Sequence, residues 1–102
     1  MKVLVNAHKY EVQNFENPET SQVISFIHKE AKEGSSDLIT VSDGTTNEEL
    51  LKVLIDRTEN LQNKFPCSEN EIALFNLKSA LYAFQSRTFD RVKRNVEGKQ
   101  LK

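Results

Sequence analysis

A chain of 102 residues with 14 basic and 15 acidic side chains, net charge −1, is long enough for one modest core but near the size at which partner subunits complete the burial. Its balanced charge argues against a general nucleic-acid binder, which carries a broad positive excess. No apolar run approaches the roughly 20 residues of a membrane span and no secretory apolar region follows Met1-Lys2, so a cytoplasmic place is expected.

Residues 2–5, 9–15, 21–29 and 38–42 are short and rich in Val, Ile, Phe and Tyr, with turn residues between them, and read as strands. Asn6-Ala7-His8 suits a hairpin tip, Asn17-Pro18-Glu19 a second turn and Gly34-Ser35-Ser36-Asp37 a third. One antiparallel four-strand meander is the economical arrangement.

From Thr46 the period changes. Thr46 and Glu49 match a capping box, and Leu50, Leu54 and Leu61, flanked by Leu51, Val53, Ile55 and Thr58, give a helical apolar stripe that ends at Phe65-Pro66. Ser68 and Glu71 form a second capping box, with Cys67 and Ile72 as its hydrophobic staple. The helix that follows meets no Gly or Pro until Gly98 and is longer than the first helix can cover. Leu74, Leu77, Leu81 and Phe84, with Ile72, Phe75 and Tyr82 beside them, are too wide a surface for one antiparallel neighbour, so the hairpin is expected to pack on a second copy. The expected fold is α+β: a small N-terminal antiparallel sheet, then a two-helix antiparallel hairpin with a long second helix. It is read as a single domain over 1–102, with a meander at 1–44, the hairpin at 45–98 and a tail at 99–102.

Charge is unevenly spread: residues 1–46 carry four Lys/Arg against seven Asp/Glu, and residues 84–102 carry six against two. Arg87, Arg91 and Arg94 recur at spacings of four and three, in line with the small side chains of Asn76, Ala80 and Ala83. Guanidinium forks grip phosphate oxygens, and small residues let a flat ligand or another backbone approach, so this face describes half of a pocket for an aromatic phosphate. The competing reading is a solvated basic helix end, in which the cations offset the macrodipole and Asp90 pairs with Arg94 or Arg87.

Three blocks, DGTTNEELLKVLIDR (43–57), FPCSEN (65–70) and the AL followed by RTFDRVKRNVEG (80–98), resemble the phage proteins that defeat the Thoeris immune system by sequestering its cyclic ADP-ribose signal. Those proteins share a helical-hairpin domain with the anti-CBASS sponges for cyclic oligonucleotides. The resemblance implies a homo-oligomer, a dimer or a hexamer built from dimers, that holds a glycocyclic ADP-ribose isomer between subunits without cleaving it, in the cytoplasm of the infected bacterial host. It assigns ligand contacts to Asn70, Arg87 and Arg91, with Arg57 and Arg94 as further carry-overs that could equally brace the hairpin. Relatives often show Arg at the position of Ser68, Gly at that of Asn95 and an aromatic near Asn60, which leaves Phe65 or Tyr82 to stack on the base. No cofactor and no metal are implied. Cyclic dinucleotides or trinucleotides are the alternative ligands.

Two other classes compete. An enzyme would need a nucleophile with its base, paired carboxylates or a metal cluster. His8 and His28 fall in different strands with no ligand-spaced partner and read as sheet-surface residues. Cys67 is explained by packing, Asp37 and Asp43 belong to turns, and Gly44-Thr45 is a turn and cap rather than a phosphate loop. A small DNA-binding or host-protein-binding phage module is the other rival, but the second helix is too long and too broadly apolar for a groove-reading helix.

Overall fold

The computed structural model describes residues 1–94. Packing divides the chain into two compact units, one formed by Met1–Thr46 and the other beginning at Asn47. The first holds five strands: β1 (Lys2–Val5), β2 (Lys9–Gln13), β3 (Ser21–Ser25), β4 (His28–Ala31) and β5 (Leu38–Ser42). The second holds α1 (Asn47–Lys64) and α2 (Ser68–Lys93). The α+β class and the longer second helix are as the sequence predicts.

The turns form where their chemistry places them. Ala7 takes φ 66° at the β1–β2 tip, where the His8 N–H donates to the Val5 carbonyl at 3.0 Å. Asn17 makes an Asx turn, accepting from the Glu19 N–H at 3.2 Å. Gly34, at φ 75°, serves the β4–β5 turn, whose ends are tied by Lys32 N–H to the Asp37 carbonyl at 2.8 Å.

The single meander does not form. There are two antiparallel sheets, β1-β2-β3 and β4-β5, because the expected strand 21–29 breaks at Phe26-Ile27. There the backbone changes partner: Phe26 N–H donates to the His8 carbonyl at 2.7 Å and Ile27 N–H to the Thr45 carbonyl at 2.9 Å, while Thr45 N–H donates to the Ser25 carbonyl at 2.8 Å. Phe26 and Thr45 form an isolated parallel bridge. Every donor at the break is thus satisfied outside a ladder, as backbone groups withdrawn from water require.

The hairpin seam also differs in detail. On α1 the side chain that is buried is Ile55, 8% exposed, with Leu51, Thr58 and Gln62 half-buried on its face and Leu54 and Leu61 exposed. The seam is therefore turned by one residue from the Leu50/Leu54/Leu61 stripe, which the flanking apolar residues made ambiguous. On α2 the expected Leu74, Leu77, Leu81 and Phe84 do line the seam, all half-buried. Lys78 Nζ reaches Glu59 Oε2 at 3.5 Å and Gln62 Nε2 reaches Glu71 Oε1 at 3.5 Å across it.

The second helix begins one residue earlier in its capping than predicted. Cys67, extended at φ −154° and ψ 157°, is the N-cap, and its sulfur accepts from the Asn70 N–H at 3.4 Å. Ser68 is already helical and turns its hydroxyl to Glu69 Oε2 at 3.4 Å. Because Glu71 faces Gln62, the expected Ser68–Glu71 box is replaced by a thiol cap. At the other end Arg94 is the C-cap, its N–H bonded to the Asp90 carbonyl at 3.0 Å. The expected stop at Gly98 and the tail at 99–102 lie outside the described residues.

Candidate functional site

Helical geometry sorts the six candidate residues into separate places. Arg87 and Arg91 stand one turn apart near the end of α2, Arg87 exposed and Arg91 half-buried. α1 has 18 residues and α2 has 26, and near the end of α2 Gln85, Thr88, Phe89 and Val92 border a groove with Glu48 and Lys52 at the start of α1. Arg87 and Arg91 stand in the same last turns of α2. Arg94 shares their face but is tied by its Nε to Asp90 Oδ2 at 3.0 Å, so part of its charge is already answered.

At the opposite end of the hairpin lie Phe65 and Asn70. Phe65 sits in the turn after α1 and is 74% exposed. Asn70 is half-buried in the first turn of α2, and its backbone N–H is taken by Cys67. This leaves the side-chain amide of Asn70 as its group for recognition. Arg57 is elsewhere again, on the outer face of α1, where it lines a shallow groove of about 880 Å³ with Val53, Asn60 and Lys64. The Asn60 amide donates to the Asp56 carbonyl at 2.8 Å, so it supplies no aromatic wall. Tyr82, the other stacking candidate, is exposed on the flank of α2.

A second cluster of side chains was not visible in the sequence. The rings of His8 and His28 stack with centroids 3.7 Å apart and planes 8° from parallel, so they are not the separate sheet-surface residues expected. Twenty residues separate them, and the pairing of Lys9 with Ser25 in the β2–β3 ladder, with the Phe26 N–H on the His8 carbonyl, brings them together. His28 Nε2 pairs with Glu30 Oε1 at 3.1 Å, while His8 Nδ1 is buried without a partner. Ser42 and Asp43 share with them a small cavity of about 120 Å³. A face-to-face stack cannot point two ring nitrogens at one metal ion, and among the described residues no three His, Cys, Asp or Glu side chains are grouped as a metal site.

What the geometry assembles is an α+β protein whose helical hairpin bears guanidinium groups at one end and an amide with an exposed aromatic ring at the other. The model of the Acb2/Tad1 hairpin-domain family matches residues 19–89 of this chain, and the chain belongs to that family. The match takes in Arg57, Phe65, Asn70 and Arg87, while Arg91 and Arg94 fall just beyond it. A curated relative, "Thoeris anti-defense 1" of Bacillus phage SBSphiJ7, is 40% identical over 58 residues, which are 56% of this chain and 41% of the relative. The chain thus spans under half the length of the curated relative it matches.

Proposed function

We propose that this protein is a phage anti-defence sponge that binds and sequesters a cyclic ADP-ribose immune signal, a glycocyclic isomer, without cleaving it, and so blocks Thoeris activation in the cytoplasm of the infected host. The observation that carries the reading is the pair Arg87 and Arg91, one turn apart near the end of α2 in a hairpin that belongs to this family. Such a signal offers a purine, two riboses and a diphosphate. Two forked cations suit the diphosphate, the Asn70 amide suits a hydroxyl or a base edge, and Phe65 offers a stacking face.

One copy cannot close a pocket with these parts, because the amide and the arginines stand at opposite ends of α2. A homodimer, or a hexamer built from dimers, with α2 helices antiparallel would bring Asn70 and Phe65 of one copy to Arg87 and Arg91 of another. The energetics point the same way. Competing with a receptor at nanomolar signal takes about 12 kcal/mol, and two or three charge-assisted contacts at roughly 1.5–3 kcal/mol each fall short of it. Enclosure between subunits supplies the remainder through desolvation and preorganisation.

The test is to incubate the protein with a panel of cyclic ADP-ribose isomers and cyclic di- and trinucleotides, remove free ligand, denature, and weigh what is released. An intact cyclic ADP-ribose isomer is the expected result. A product of altered mass would make the protein an enzyme, release of a cyclic oligonucleotide would move it to the CBASS signals, and retention of nothing would end the reading.

A further inference from the structure

Gln62 is a polar side chain on the inner face of α1, half-buried in line with Leu51, Thr58 and the buried Ile55. A polar group set into a helix seam needs partners there, and this amide uses both of its ends. Gln62 Oε1 accepts from the Cys67 N–H at 2.9 Å, and Gln62 Nε2 donates to Glu71 Oε1 at 3.5 Å. One side chain of α1 thus ties down both the connection and the first turn of α2. The Phe65 N–H is already on the Leu61 carbonyl at 2.8 Å and Pro66 has no N–H, so Gln62 takes the remaining donor of the Phe65-Pro66-Cys67 connection.

Cys67 is the N-cap of α2, which makes Asn70 the third helical residue. In a capping box the cap accepts from the N–H of that residue, and the side chain of that residue reaches back to the N–H of the cap. The first half of the exchange is present, with Cys67 Sγ on the Asn70 N–H at 3.4 Å. The second half is performed by Gln62, from the other helix. Asn70 is a short amide whose oxygen is fit to accept the same N–H, so the Cys67 donor has two competing acceptors. While Gln62 holds it, the Asn70 amide is released from the capping role that its position would otherwise give it.

We propose that Gln62 is a positioning residue: by occupying the Cys67 N–H it keeps the Asn70 amide available to the ligand. This rests on the reading of Asn70 as a ligand contact. Gln62→Met keeps the length and the apolar stem and removes the amide, so Asn70 should cap Cys67 in its place. The melting temperature should then stay within about 3 °C, while affinity for a cyclic ADP-ribose isomer that the parent retains falls about tenfold, as for a ligand-ready form populated about one time in ten. Gln62→Glu with Glu71→Gln keeps an acceptor for Cys67 and exchanges donor and acceptor across the pair, and should bring affinity back to within about twofold of the parent. In the ligand-free protein, hydrogen exchange of the Cys67 amide should stay slow in Gln62→Met and in Asn70→Ala and quicken by about tenfold when the two are combined. The Asn70 side-chain amide signals should shift in Gln62→Met. A Cys67 amide that quickens in Gln62→Met alone with the Asn70 signals unmoved, or an affinity that Gln62→Met leaves unchanged, would overturn the proposal. A parent that retains no ligand, with the exchange pattern as stated, would instead strike the sponge reading and the positioning role with it, leaving the competition for the Cys67 N–H as a property of the fold.

Discussion

Asn70 and Arg87 stand seventeen residues apart on one unbroken helix, about 25 Å along its axis, so no ligand the size of a cyclic dinucleotide touches both within one chain. If they serve one pocket, two chains build it. Asn70→Ala alone and Arg87→Ala with Arg91→Ala alone should each fail to retain the signal. Mixed after co-refolding, each mixed dimer regains one pocket with every group in place, so about a quarter of the parental sites should return for random two-fold pairing. Titration of the mixture by calorimetry reads this directly, and a mixture as inert as its components would place the two residues in different sites.

Arg94 differs from Arg87 and Arg91 in lying at the C-cap of α2 with its Nε on Asp90. Arg87 and Arg91 each contribute about 1.5–3 kcal/mol as charge-assisted contacts, so their joint replacement by alanine should weaken binding by more than a hundredfold with helicity unchanged. Arg94 shares its charge with Asp90 at 3.0 Å, and Arg94→Ala should cost less than threefold. Equal losses for the three, by the same titration, would mean that the Asp90 pair opens when ligand arrives.

The order of elements and the turns were legible because local chemistry sets them: Asn17 closes its own Asx turn, Gly34 supplies a positive φ, and Phe65-Pro66 ends α1. The seam of α1 was not, since Leu50, Leu51, Val53, Leu54 and Ile55 are nearly contiguous and periodicity cannot choose between faces one residue apart. The break at Phe26-Ile27 escaped for a different reason. Both residues favour strands, and what interrupts the ladder is competition from the distant His8 and Thr45 backbones. At the site, the arginine row and its distance from Asn70 could be read from spacing along one unbroken helix, whereas the His8–His28 stack depends on strand register and on the break at Phe26-Ile27.

Gly44 marks where the chain crosses that break most closely. A methyl group there would press on the Ser25 carbonyl oxygen and lie 2.5 Å from the Phe26 carbonyl carbon, and both belong to backbone held by hydrogen bonds. Gly44→Ala should destabilise the strand unit by about 2–3 kcal/mol, the upper part of the range for forced overpacking. Hydrogen exchange is the suitable measurement: the amides of β3, β4 and β5 should lose protection, while those of α1 and α2 keep theirs. Unchanged exchange at Phe26 and Ile27 would show that the crossing has room to yield.

Cys67 caps α2 with a weak acceptor. Its sulfur sits 3.4 Å from the Asn70 N–H while its own N–H donates to Gln62 Oε1 at 2.9 Å, so the residue is already held in capping geometry and only the acceptor is poor. Serine offers a better one, and Cys67→Ser should stabilise the hairpin by about 0.5–1 kcal/mol, or roughly 2–8 °C in melting temperature for a chain of this size. Aspartate is as good a cap in isolation, but Glu69 and Glu71 already occupy the first turn, so Cys67→Asp should gain less and its deficit should shrink with added salt. Because the cap engages the backbone of Asn70 and leaves its amide alone, neither change should shift ligand affinity by more than about twofold, within a few tenths of a kcal/mol. Melting curves followed by circular dichroism, at low and high salt, separate these outcomes; a lower melting temperature for Cys67→Ser would mean that the thiol matters by packing, as a buried sulfur between subunits, and not by capping.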